Sequence, residues 1–262
     1  MSSDLLFRCR EIQRFLKAII LSAPGRRILW RHLLNSLVLT AMILSGLLVA
    51  FFGFFEGFLP RRRTLLACFS ALYTFLVIMP LATMPFFSFK DLFDRLAQRC
   101  MRRRLFYDLS QHVFYRTHRN GQISLHLAKA HSLLAEKHHL LSDTAGRTRN
   151  ISRHLAGSLA RSIREAVHLS RQLVGSGKLK PDQKITGATY SYLFGAAKSK
   201  LGLKRCQPSG WSGWLSGVFY RYGALHAVFM YFVIHDQLPP EFDPVYFMAQ
   251  VSDVIGEGSK SS

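Results

Sequence analysis

Residues 33–59, LLNSLVLTAMILSGLLVAFFGFFEGFL, are followed after Pro60-Arg61-Arg62-Arg63 by TLLACFSALYTFLVIMPLATMPFF over residues 64–87. Each run is 24 residues or longer, and about 20 residues of helix cross the hydrocarbon core of a bilayer. A connection this short makes the two helices lie side by side and antiparallel. The stretch therefore predicts a transmembrane hairpin over residues 32–88, set between an N-terminal segment, 1–31, and a longer remainder, 89–262.

Charge gives the expected orientation. The chain has 35 Lys and Arg against 15 Asp and Glu, a formal charge of +20, and such a field attracts phosphate and acidic segments. Arg8, Arg10, Arg14, Lys17, Arg26, Arg27 and Arg31 precede the first run, and Lys90, Arg95, Arg99, Arg102, Arg103 and Arg104 follow the second. Cytoplasmic flanks collect Lys and Arg. The expectation is an integral membrane protein of a bacterial inner membrane with both termini cytoplasmic. Arg61, Arg62 and Arg63 in the turn, with Arg102, Arg103 and Arg104, are expected to touch anionic lipid headgroups. The turn arginines also keep open a shallow hairpin that enters and leaves one face.

A cleaved signal peptide is not expected, because the first run far exceeds an h-region and no small-residue cleavage site follows it. Cys9, Cys68, Cys100 and Cys206 are scattered with no C-x-x-C pair, which argues against zinc and against a disulfide framework. No metal and no cofactor is expected.

Residues 4–21 place Leu5, Ile12, Leu16, Ile19 and Ile20 among Arg8, Arg14 and Lys17, a pattern for an amphipathic helix. Either an anionic membrane surface or the soluble part of the chain would cover it. Within the hairpin Glu56 is the only acid, near enough to the turn to pair with Arg61–Arg63. From Phe89 onward the chain reads as almost wholly helical, and the predicted fold class is all-α. The predicted helices are Phe89–Tyr115, a second with Ile123, Leu127, Ala130, Leu134 and Leu141 at helical spacing, Asn150–Val174, and Thr186–Leu201. Gln207–Gly217 reads as a loop. Trp214–Ile234 is apolar but for Arg221 and His226, and reads as a buried core helix, with a third span over 214–234 as the alternative. Asp243-Pro244 suits the start of a closing helix to Ile255.

The helix Asn150–Val174 carries the strongest pattern. Ile151, Leu155, Leu159, Ile163, Ala166, Val167, Leu169 and Leu173 fill one face, while Arg149, Arg153, Arg161, Arg164, His168 and Arg171 fall opposite, with Glu165 the only acid. Solvated faces normally mix signs. These five arginines are the candidate binding residues for an acidic partner or phosphate, since guanidinium forms bidentate bonds to carboxylate and phosphate.

Catalytic signals are few. The histidines lack the spacing of a metalloprotease helix. Arg149-Asn150-Ile151-Ser152-Arg153-His154 resembles the R-N-x-x-x-H motif of HEPN ribonucleases, which implies RNA cleavage by Arg149 and His154. His235-Asp236 resembles the dyad of HD phosphohydrolases, without the further histidine and aspartate of a metal set. No phosphate-binding glycine loop and no G-x-S-x-G occurs.

The two apolar runs before a basic helical domain, Leu173-Val174-Gly175-Ser176-Gly177-Lys178-Leu179, and His226-Ala227-Val228 with Leu238-Pro239-Pro240-Glu241-Phe242 together resemble the DotM/IcmP and TrbA type of coupling-complex subunit of type IV secretion and conjugation systems. The resemblance implies a basic patch that docks acidic protein substrates for export, among other subunits of a membrane complex. The expected function is a non-enzymatic membrane adaptor of that kind. The alternatives are a membrane-shaping hairpin that grips anionic lipid, and a membrane-tethered HEPN-like ribonuclease, for which nucleic acid is the partner.

Overall fold

The computed structural model describes residues 3–54, 62–83, 106–117, 121–127, 130–143, 151–198, 201–207, 210–240 and 242–256. Glu56, Arg61, Arg102–Arg104 and Arg149, singled out above, lie outside them, and Arg62 is described in its backbone only. The elements run α1 (Ser3–Leu21), α2 (Ala23–Phe54), α3 (Arg62–Thr83), β1 (Phe106–Asp108), β2 (Val113–Thr117), β3 (Ile123–Leu127), α4 (Ala130–Asp143), α5 (Ile151–Gly175), β4 (Lys184–Tyr190), α6 (Ser191–Lys198), β5 (Lys204–Arg205), α7 (Gly210–Tyr222), α8 (Ala224–His235), β6 (Pro244–Gln250) and α9 (Val251–Ile255).

The chain is mostly helical, but it is not all-α. A six-stranded sheet runs in the order β1-β2-β3-β4-β6-β5. β1, β2 and β3 form an antiparallel meander, β3 and β4 are parallel with Ile123 opposite Ile185, and β6 lies antiparallel between β4 and β5. The parallel step needs a crossover, and α4 and α5 supply it.

Four predicted helices are corrected by these strands. Phe106–Asp108 and Val113–Thr117 are strands where a helix to Tyr115 was expected, and Ile123–Leu127 is a strand where the second helix was to begin. Lys184–Tyr190 is extended before α6 starts, and Pro244–Gln250 is extended before the short α9. Gln207–Gly217 is helical from Gly210 onward. Cross-strand pairing over seven residues of β4 and β6 outweighs local helix propensity there. Gly187 makes that pairing tight, because a Cβ at this position would sit 2.5 Å from the ring of Phe247.

Helix α5 is the spine of the folded part. Ile151 and Leu155 at its start enter a helical core with Phe15, Ile19, Leu133, Leu134, Val228, Phe229 and Phe232. Further along, Ala166, Ile163, Val167 and Leu173 pack on a second core against the sheet, with Tyr115, Ile123, Ile185, Phe194 and Phe247. The predicted apolar stripe is thus shared between two cores, and of its members Leu169 alone is exposed. The apolar segment 214–234 is two helices divided at Gly223, and α8 is buried in the helical core through Leu225, Val228, Phe229, Phe232 and Val233.

Helix α1 packs on the helical core. Phe15 is fully buried between Phe229 and Phe232, at ring distances of 5.0 and 5.5 Å. Its buried line is Glu11, Phe15 and Ile19, whereas Ile20 of the predicted amphipathic face stays exposed. At the corner into α2 the Ser22 hydroxyl accepts from the Gly25 N–H at 3.0 Å, and a Cβ on Gly25 would collide with the backbone of Ile19.

Helices α2 and α3 are long and apolar enough to cross a membrane, and only 22 % and 6 % of their apolar windows are buried. The core helix of a soluble protein would be mostly covered. Here Leu34, Leu37, Leu47, Val49, Leu66, Phe75 and Ile78 are all exposed. The folded part grips the hairpin near its base: Val218 of α7 packs with Leu39 and Leu76, and Tyr222 donates its hydroxyl hydrogen bond to the Leu76 carbonyl at 2.7 Å. Burial pushes the Tyr222 phenol up to about 12.

Candidate functional site

The amphipathic pattern of α5 places the predicted arginines outward, and they remain outward because the opposite stripe is consumed by both cores. Arg153, Arg161, Arg164 and Arg171 are exposed, as is His168 between them. Among the described residues, Arg153, Arg161 and Arg164 have no acid partner and no side-chain hydrogen bond. Arg171 differs. Its Nε and one terminal nitrogen donate to the Ile255 carbonyl at 2.9 and 2.7 Å, so this guanidinium caps the end of α9 while its rim faces solvent.

The catalytic patterns fare differently. His154 is exposed on α5, and its companion Arg149 lies outside the described residues. Asp236 sits at the left-handed C-cap of α8 with φ 56°, and its carboxylate is held by Lys137 at 2.8 Å and Arg14 at 3.0 Å. His235 is half-buried, its ring 4.3 Å from that of Tyr231. Burial lowers the His235 pKa, and the neighbouring Asp236 charge partly offsets this. Among the described residues, no three His, Cys, Asp or Glu side chains come close enough together to hold a metal ion.

One cluster was not read from the sequence. Lys137 is 2 % exposed and reaches Glu11, equally buried, at 2.8 Å, as well as Asp236. Arg14 closes the set with a 2.6 Å bond to Glu11. Burial opposes the Arg14 charge, but Glu11 and Asp236 outweigh it and raise its pKa. A buried ion pair is stable only when its remaining bonding capacity is met, and here two cations share two acids. The cluster joins α1, α4 and the end of α8. Its signal was present: Lys137 lies on the line of Leu134 and Leu141, and Glu11 lies one turn before Phe15.

No protein-family model matches the chain, and no curated protein or solved structure is significantly similar to it.

Proposed function

We propose that this chain is a membrane-anchored, non-enzymatic docking protein, with the outer face of α5 as the surface that receives an acidic protein partner. The observation that carries this reading is the set Arg153, Arg161 and Arg164, exposed and without partners among the described residues on a helix rooted in two cores. Ordering a partner on a rigid helix costs less entropy than on a loop, and arginine forks suit carboxylates. Membrane anchoring is supported by the exposed apolar hairpin. A common, cytoplasmic side for both flanks is supported by the basic residues around the hairpin and by the packing of α1 into the same core as α4 and α8. A role in a secretion or conjugation assembly rests on the sequence resemblance alone.

The test is Arg153→Glu, Arg161→Glu and Arg164→Glu together, with Arg171 retained because it caps α9. Helix content and membrane insertion should be unchanged, since glutamate is a good helix former. Acidic peptide should bind the wild-type protein at low salt and lose at least tenfold in affinity to the variant. Binding of RNA alone, with a steep salt dependence, would overturn the adaptor in favour of a nucleic-acid role. Binding of anionic vesicles alone would favour the membrane-shaping hairpin.

A further inference from the structure

Helix α7 lies between the sheet and the hairpin. Toward the sheet, Tyr220 meets Tyr246 edge-on at a ring distance of 5.5 Å, and a Cβ on Gly217 would sit 3.2 Å from the Tyr246 hydroxyl. Toward the hairpin, Tyr222 and Val218, one turn apart, hold two different levels of it. Tyr222 stacks on His32 at 5.7 Å and bonds to the Leu76 carbonyl, whereas Val218 packs with Leu39. Stepping back along α7 from Tyr222 to Val218 is thus stepping forward along α2 from His32 to Leu39. The two helices run antiparallel, and the N-terminal end of α7 points toward the tip of the hairpin.

That direction sets a depth. The water side is marked by the ion pair of Arg31 and Asp243, whose side chains are 53 % and 71 % exposed, and by Arg221, which lines one cavity with them. Charged side chains in hydrocarbon are costly. The apolar run begins two residues after Arg31, at Leu33, and Leu39 lies about 9 Å further along the helix axis. Trp214, one turn before Val218 and on the same side of α7, is carried about 5 Å beyond that level. A hydrocarbon core is about 30 Å thick, so both residues fall within the half nearer the folded part.

Trp214 is 43 % exposed. A lone exposed tryptophan on a soluble surface needs no explanation, but this one continues a face whose other members, Val218 and Tyr222, hold the hairpin. The hairpin is itself open nearby, with Leu37 and Phe75 exposed. The composition of α7 suits an apolar solvent: from Gly210 to Tyr220 it carries no charged residue, and Arg221, its one charge, stands at the end on the water side. Tryptophan is enriched where a bilayer meets water.

We propose that α7 is part of the membrane anchor: its N-terminal turns are seated in the leaflet nearer the folded part, and Trp214 contacts lipid acyl chains. Lipid is the occupant because the surface around Trp214 is continuous with the bare apolar flank of α2 and α3. The inference rests on the membrane-anchored half of the proposed function and is independent of the α5 arginines.

Full-length protein in vesicles of phosphatidylcholine and phosphatidylglycerol would be followed by its tryptophan emission. The chain has three tryptophans, so Trp30→Phe with Trp211→Phe leaves Trp214 alone. Phosphatidylcholine brominated on its acyl chains should quench that emission at least twofold, and aqueous iodide should leave it unchanged. A second measurement needs one substitution only: in the otherwise unaltered chain, Trp214→Phe should lower the share of emission that brominated lipid quenches. Quenching of Trp214 by iodide and not by lipid would place α7 in water. Shielding from both quenchers would mean that protein, a second copy or another subunit, covers it. Either outcome overturns the proposal, as does an unchanged lipid-quenched share in Trp214→Phe. Leu47→Trp, in a chain whose three native tryptophans are replaced by phenylalanine, reports on the hairpin separately. Lipid quenching of that chain with none at Trp214 would sink the seat of α7 and leave the anchor standing, whereas quenching of neither would remove the anchor itself.

Discussion

The two halves of α2 belong to one helix yet face different surroundings. Toward the base, Gly25, Ile28, His32, Ser36, Leu39 and Thr40 are buried at spacings of one to four residues. Two of these polar side chains bond within the protein: Thr40 donates to the Ser36 carbonyl at 2.7 Å, and His32 to the Val77 carbonyl. From Ala41 to Val49 no described side chain is buried, and α3 is equally bare from Arg63 to Phe75. The base carries Arg26, Arg27 and Arg31, but from Leu33 onward hydropathy alone does not mark where cover by the folded part ends. What separates the halves is the placement of His32, Asn35, Ser36 and Thr40, which mark the length of helix that the folded part covers. The polar residues of an apolar helix therefore report how far the protein reaches along it.

The sharpest way to break this contrast is a pair of truncations on the same helix. Ile28→Ala should lower stability by about 2–5 kcal/mol, as for other buried aliphatic side chains, whereas Leu47→Ala should stay within about 0.5 kcal/mol, the range of exposed positions. Denaturant unfolding in detergent would measure both. Equal losses would mean that the distal half is packed as well.

A second variant sharpens the contrast by unseating the base. Lys137→Ala leaves Glu11 buried with Arg14 as its remaining cation, so a loss of about 3 kcal/mol is expected, near the low end for a broken buried pair. Stability unchanged to within about 0.5 kcal/mol would show that the cluster adds nothing to the hold on α1.

The smallest effect is a pH dependence. Burial keeps the folded pKa of His235 below its ordinary value near 6.5. The unfolded chain therefore takes up the proton first, and stability should fall as pH drops below about 6.5 through the folded pKa, having been fully present above it. His235→Gln should flatten that part of the profile between pH 7.5 and 5. An identical slope in the variant would assign the dependence to other groups.

Legibility followed the range of the interaction. The hairpin runs and α5 are written in local periodicity, and their bounds in the structure differ from expectation by about a turn or less for α5 (Ile151–Gly175). The strands were harder. Ile123, Leu125 and Leu127 alternate, yet Ile123, Leu127, Ala130 and Leu134 also fit helical spacing, and the true helix beginning at Ala130 extended the wrong period backward. Likewise Tyr190, Leu193, Phe194 and Ala197 are helical in pattern, and drew Thr186–Thr189 with them. Asp243-Pro244 offered helix-start chemistry in front of Val245-Tyr246-Phe247, whose branched and aromatic residues suit a strand. Of the α5 surface, the outward arginines were legible because a stripe implies its opposite, but the bond from Arg171 to Ile255 was not, since those residues meet only through the fold.

The same long reach governs how this chain can be made. Glu11 meets Lys137 across 126 residues, and Arg31 meets Asp243 across 212. A ribosome delivers α1 and the hairpin first, long before the residues that cover their base exist, and domains generally fold as units once complete. Until β6 emerges, the buried line of α2 and the cluster around Glu11 lack their final neighbours. Translation of Asp243 and β6 is therefore the step that completes the seat of α1 and the base of α2.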